Sequence, residues 1–306
     1  MKRFLLILLT ALLFVSVFHA RTEQRPETYF HTSYRYHNLA GDDSLLFEIK
    51  ELLMKGGLSA ANAEEFVREV KQYNALVGED LLRSSWTEAD ISQSVYDTRA
   101  IRERILQKQP DYTGYSSRIT AYLLAGDQVL MQYVQPQQDA LLAEDYRALD
   151  KDPAALQNGR SMEGFSMLFQ SMDAADMEGT VMHLPTIQES FRKRGITFAN
   201  NDTLRLISLF VHSREQGKNR LYVRHAGVLL KVNEGKYYFL EKLSGELPYQ
   251  VVELRSKRAL SDYLMGKYDS QWQQDYAAPL VLENDQLIEG YQENPYKRKV
   301  TASYGG

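Results

Sequence analysis

The sequence predicts an α+β fold, with N-terminal helices followed by an antiparallel sheet. Three observations carry this. Apolar residues recur at helical spacing through the first two thirds of the chain. Beyond Gly195 the texture changes to β-branched and aromatic runs punctuated by short polar turns. The two textures come as successive blocks, whereas a doubly wound parallel sheet would alternate them. The 306 residues are 44% hydrophobic and 25% charged, so the chain can bury a substantial core. No Pro-, Gly- or Ser-rich linker divides it. Residues 21–306 therefore read as one domain, helical over about 40–195 and sheet-forming over about 196–290.

The elements follow in order after a polar, Tyr- and His-rich lead. Asp42, Asp43 or Ser44 can cap a first helix, whose Leu45, Leu46, Ile49, Leu52 and Leu53 share one face before Gly56-Gly57. A second helix over about Asn62 to Val77 carries Phe66, Val67, Val70 and Tyr73 on its apolar stripe and stops at Gly78. "TRAIRERILQKQ" is a third, closed by Pro110. A fourth opens at Ser116 or Ser117 and runs to Leu124; "EGFSMLFQSM" and "TIQESFRKRG" add two short ones. "TLRLISLFVHS" begins the sheet. "RLYVRHAGVLLKV" and "KYYFLEKL" form a hairpin around Asn233-Glu234-Gly235. "YQVVELR" is a further strand, "KRALSDYLMGKY" a helix and "APLVLEN" a last strand.

The N-terminus carries an export signal. Lys2 and Arg3 precede an apolar run from Phe4 to Phe18, and "VFHA" supplies a cleavage site near Ala20. The run is short for a bilayer span, which needs ~20 residues. Residues 1–20 are therefore expected to be a signal peptide. The mature chain is expected in the periplasm or outside the cell, with no stable membrane span. Cysteine is absent, so neither disulfides, thiol chemistry nor thiolate metal sites are available. A net charge of −4 without a basic stripe argues against a nucleic-acid partner. Nothing in the sequence sets the oligomeric state.

Candidate chemistry is sparse. The six histidines show no H-E-x-x-H-type spacing, so no metal site is expected. His225 stands inside a strand and is followed by the small residues Ala226 and Gly227. Glu241, on the next strand, can face it across the hairpin. A carboxylate there would fix the imidazole tautomer and raise its basicity; the alternative is a strand histidine satisfied by a backbone carbonyl, with Glu241 solvated. Ser117, in "GYSSRI", has two readings also. It can cap a helix, or stand as a nucleophile where helix N–H groups stabilise negative charge. Arg118 could hold a substrate carboxylate or be a surface charge. Asn201-Asp202-Thr203 fits the glycosylation acceptor pattern.

"GYSSRITAYLL", "RHAGVLL", "FLEKLSGELPYQ", "LSDYLMGKYD" and "LENDQLIEGYQENPYK", taken together and in this order, resemble an uncharacterised family of bacterial secreted proteins and lipoproteins that carries a domain of unknown function. The resemblance spans the chain from "YRYHNL" to "ENPYK". In that family the first segment usually reads G-Y-N-C-R-I-T, and its cysteine, the H-x-G-V strand and the polar residue after it are similar to an NlpC-type papain-like cysteine peptidase site. The resemblance implies a papain-like fold and hydrolysis of an amide, in a peptide or cell-wall peptide, without metal or organic cofactor. It places Ser117 at the nucleophile position, His225 as general base and Glu241 as its orienter. Ser116, Arg118 and Tyr115 would lie against the substrate. The departure is serine in place of cysteine, since a hydroxyl does not ionise as a thiol does. A serine hydrolase, an inactive relative that only binds in the envelope, and a cysteine exchanged on purpose all stay open.

Overall fold

The structure, a computed structural model, describes residues 29–132, 138–175, 179–215, 218–272 and 277–299. The expected signal segment 1–20 lies outside the described residues. The chain divides into two compact units, Met1–Phe30 and His31–Gly306, and the helices and strands described below lie in the second.

The chain enters that unit as strand β1 (Ser33–His37) and continues into helices α1 (Asp43–Lys55) and α2 (Ala60–Val77). Asp42 caps α1 by accepting the Leu45 N–H at 2.9 Å, and Ser59 caps α2 through the Asn62 N–H. Both helices bury one stripe. In α2 this is Phe66, Val70, Tyr73 and Val77, each worth ~1.5–3 kcal/mol on burial. Strand β2 (Thr87–Asp90), helix α3 (Thr98–Lys108) and helix α4 (Ser117–Ala125) follow. All but one of the nine residues of α4 are buried. Its apolar residues Ile119, Ala121, Tyr122, Leu123, Leu124 and Ala125 face inward all round, and Arg118 alone is partly exposed. Strand β3 (Val129–Met131), helices α5 (Ala143–Lys151) and α6 (Met162–Phe169), strand β4 (Met172–Asp173), helix α7 (Leu184–Lys193) and strand β5 (Ile196–Phe198) complete this half.

Long strands follow: β6 (Leu204–Glu215), β7 (Lys218–Asn233), β8 (Lys236–Lys242) and β9 (Tyr249–Leu254). Helix α8 (Lys257–Tyr268) comes next, then β10 (Gln271–Trp272), β11 (Leu280–Glu283), β12 (Gln286–Leu287) and β13 (Arg298–Lys299). The main sheet runs β12-β11-β6-β7-β8-β9-β1-β2, with β4 added against β7. Every pairing within it is antiparallel. The fold is α+β as expected, and the β7–β8 hairpin turns at Glu234-Gly235.

Side chains alternate across the sheet. Ala226, Val228, Leu230, Tyr238, Leu240, Tyr249 and Val251 join the core shared with α1, α2 and α4. Residues of the opposite parity, among them Leu229, Phe239 and Val252, are buried on the other face. There Tyr263 of α8 meets Phe239, with ring centroids 6.3 Å apart. The sheet is thus covered on both faces by helices.

Two expectations are revised. The helical half does not precede the sheet cleanly, because β1 and β2 extend it beyond β9 through the register Tyr36↔Val252. The lead "SYRYH" places Tyr34 and Tyr36 inward between exposed Ser33 and Arg35, a period of two in a stretch first read as polar. Helix α5 was also unassigned, since its acidic sequence buries only Asp145, Ala148 and Leu149. No helix among the described residues is long and apolar enough to cross a membrane.

Candidate active site

The β7–β8 register sets Gly227 opposite Glu241. His225, two residues away on the same face, therefore reaches Glu241 diagonally. A side chain at Gly227 would collide with the Phe239 ring at 2.6 Å, so the small residue lets Phe239 close this side of the site. Just before His225, the β6–β7 register slips between Leu209 and Phe210, leaving Arg224 as the extra residue of a bulge. Such bulges re-aim the neighbouring side chain.

His225 Nε2 lies 2.5 Å from Glu241 Oε2, with both residues buried. An ionised carboxylate only accepts, so Nε2 carries the proton and Nδ1 keeps a lone pair. Among the described residues none hydrogen-bonds Nδ1. The Tyr268 ring stacks on the imidazole at a centroid distance of 5.2 Å.

Glu241 is held from several sides. Gln250 Nε2 donates to Oε1 at 2.9 Å, and the Tyr263 hydroxyl donates to the same oxygen. Lys267 Nζ donates to Tyr263 Oη at 2.6 Å. Behind them, Tyr96 Oη donates to Gln250 Oε1 at 2.7 Å, and Asn38 Nδ2 donates to Tyr96 Oη at 2.6 Å. Burial by itself would raise the pKa of Glu241. The hydrogen bond from His225, the charge of Lys267 and the Tyr263 hydroxyl reverse this and hold it below the ordinary value. Burial pulls the Lys267 ammonium down, with Glu241 opposing.

Ser116, not Ser117, caps α4: its Oγ accepts the Ile119 N–H at 3.2 Å and its carbonyl accepts the Thr120 N–H at 3.0 Å. Ser117 is thereby freed from capping. Its Oγ accepts the N–H of Ala226 at 3.3 Å. The backbone bonds back to the His225 Cα add under 3 Å, so Oγ lies within about 6 Å of that Cα. Ser117 and His225 make no direct hydrogen bond. No acceptor for the Ser117 and Arg118 N–H groups occurs among the described residues, which leaves two donors at the positive end of α4.

Arg118 is placed otherwise than expected. Its Nε and Nη2 donate to Asp145 Oδ2 at 2.8 and 2.6 Å, and Nη1 donates to the Val223 carbonyl at 2.9 Å. It ties α4 to α5 and β7, and is neither a surface charge nor available to a substrate carboxylate. Tyr115 donates to Asp152 Oδ2 at 2.5 Å, and its ring lines a cleft. The turn before it depends on Gly114, whose hypothetical Cβ would fall 2.0 Å from the Gly245 carbonyl. Asn201 is also committed, donating to the Gly56 carbonyl and accepting the Thr203 and Leu204 N–H groups. That leaves little room for a glycan on its amide.

The other described histidines make their contacts elsewhere. His31 Nδ1 meets Asp262 at 2.7 Å, His37 Nδ1 accepts the Leu39 N–H, and the rings of His183 and His212 contact each other. No cluster of three or more metal-ligating side chains occurs among the described residues. The supports Gln250, Tyr263, Lys267 and Tyr96 were missed from sequence. Gln250 had left a signal, being polar within the apolar strand "YQVVEL".

No curated protein and no solved structure matches this chain. One family does, the domain of unknown function DUF4300, over residues 35–288. That span holds helix α4, the hairpin and the supports of Glu241, and the chain belongs to the DUF4300 family.

Proposed function

We propose that the chain is an exported amide hydrolase of papain-like arrangement with serine at the nucleophile position, acting on a peptide or cell-wall peptide. The observation that carries this is the buried Glu241–His225 pair one residue from the backbone N–H that holds Ser117 Oγ. Glu241 keeps the proton on Nε2, leaving Nδ1 to act as the base. On rotating away from the Ala226 N–H, the Ser117 hydroxyl gives its proton to Nδ1 as Oγ bonds to the substrate carbonyl carbon. The carbonyl oxygen becomes an oxyanion facing the free N–H groups of Ser117 and Arg118. His225 returns the proton to the leaving amine. Water, deprotonated by the same nitrogen, then releases the acid. Tyr115 and Ser116 shape the approach to Ser117, and the N-terminal apolar run directs export.

A second reading rests on the same hydrogen bond. With Ser117 Oγ held by the Ala226 N–H, the cleft can bind a peptide or glycan in the envelope without cleaving it. The Ser117→Cys variant separates the two. The hydrolase reading expects the cysteine to be alkylated by iodoacetamide at pH 6 faster than a free thiol, because a helix N-terminus and the adjacent imidazole favour the thiolate. It also expects peptide-library cleavage, at least in the cysteine form, that disappears in Ser117→Cys/His225→Ala. An unreactive cysteine with no cleavage by either form would leave the binding reading standing.

A further inference from the structure

A cleft of about 450 Å³ lies against the turn that leads into α4. Glu69, Tyr73, Tyr112, Tyr115, Asp152 and Tyr249 are among the residues that line it. Gly114 and Tyr115 reach it from that turn, and Tyr115 stands two residues before Ser117 in the chain.

One group in this cleft lacks compensation. Glu69 makes no hydrogen bond or ion pair among the described residues. Each nearby cation is committed elsewhere. Arg68 pairs with Glu65. Lys151 donates to the Asp111 carbonyl and to Thr113 Oγ1 at 3.1 and 2.8 Å. Lys242 lies beneath the floor, donating to the Leu247 carbonyl, with Nζ 3.6 Å from the Tyr73 centroid and 4.7 Å from that of Tyr249. Asp152, an acidic residue of the wall like Asp111, accepts from Tyr115. Glu69 titrates accordingly: burial first, then Asp152 and Glu65, push it up to about 7, against Arg68 and Lys242. The tyrosine phenols around it are raised, chiefly by burial, and stay neutral acceptors.

We infer that this cleft takes a primary ammonium group of the ligand, paired with Glu69 and enclosed by the tyrosine walls. Lys151 of the same wall is spent on neutral acceptors; an ammonium gives Glu69 the hydrogen-bonded partner it lacks, offers three donors to Glu69 and the phenol oxygens, and is attracted by ring faces. The free amine of a peptide N-terminus and a lysine-type side chain share this chemistry. The inference narrows the ligand class of the proposed function, yet it holds whether or not the bound amide is cut.

The test is therefore binding, measured by calorimetry on the full mature chain carrying Ser117→Ala. The probes are an unblocked dipeptide amide, its N-acetyl form, and N-acetyl-lysine methylamide. Binding of the unblocked dipeptide with loss on acetylation assigns the cleft to an N-terminus. Binding of the lysine derivative assigns it to side-chain ammonium as well. In either case Glu69→Gln should weaken binding about tenfold or more. Affinity for the lysine derivative should rise from about pH 5.5 to about pH 7.5 as Glu69 ionises. Equal binding of acetylated and unblocked dipeptides, binding unchanged by Glu69→Gln, or no binding of any probe would overturn the assignment. Binding without cleavage by the native chain would end the hydrolase reading alone. Cleavage with no preference for the free amine would end this one alone.

Discussion

Glu241→Gln tests the logic of the site most sharply, because it changes one atom and keeps the shape. Oε1 accepts from two donors, Gln250 Nε2 and Tyr263 Oη, while Oε2 accepts from His225 alone. Glutamine has a single acceptor oxygen. With two donors converging on the Oε1 position, the amide oxygen belongs there and its NH₂ turns toward His225. Nε2 must then accept, which forces the imidazole proton onto Nδ1, the nitrogen assigned as base. Hydrogen bonds to a charged acceptor contribute ~1.5–3 kcal/mol and neutral ones ~0.5–1.5. Neutralising the acceptor for three donors, offset by the smaller cost of burying an uncharged group, should lower stability by about 1–3 kcal/mol. Urea denaturation measures that loss. Nitrogen chemical shifts of labelled histidine at pH 8 identify the tautomer. A neutral His225 that keeps its proton on Nε2, with a stability loss below about 0.5 kcal/mol, would refute the claim that Glu241 sets the tautomer.

Two other outcomes follow from the same geometry. Arg118→Ala strands the buried Asp145 and should cost about 3–5 kcal/mol in urea denaturation; a change within about 0.5 kcal/mol, typical of surface sites, would return Arg118 to the surface-charge reading. Glu241 also makes stability acid-sensitive. Its pKa is depressed in the folded state, so its contribution is present above the unfolded carboxylate value of about 4.3 and is lost as pH falls through the folded value. Urea midpoints followed downward from about pH 6 should drop in the native chain and drop less in Glu241→Gln; parallel curves would assign the acid sensitivity to other carboxylates.

Local chemistry was legible where a few neighbouring residues decide the conformation. The cap among Asp42, Asp43 and Ser44, the Gly56-Gly57 stop, the "NEG" hairpin and the "KRALSDYLMGKY" helix are each determined within four or so residues, because capping and turn preferences are short-range. The hairpin also made the His225–Glu241 pairing readable, since a tight turn dictates which residues face each other. Strand β1 escaped because its partner β9 is more than 200 residues away, and five residues with two inward tyrosines are weak evidence until a sheet edge waits for them. The capping serine was undecided between Ser116 and Ser117, as either hydroxyl satisfies the same local rule.

The sequence by itself determined the α+β class, a helix opening at Ser116 or Ser117, and the hairpin on which Glu241 can face His225. Only tertiary structure decided what those residues face. It joined Gln250, Tyr263, Lys267 and Tyr96 behind Glu241, sent Arg118 to Asp145, gave Ser117 Oγ the N–H of Ala226, and gave Glu69 no hydrogen-bond or ion-pair partner among the described residues. The physical reason is that a buried polar group must find partners wherever packing supplies them. Those partners come from elements remote in sequence, which no local pattern encodes.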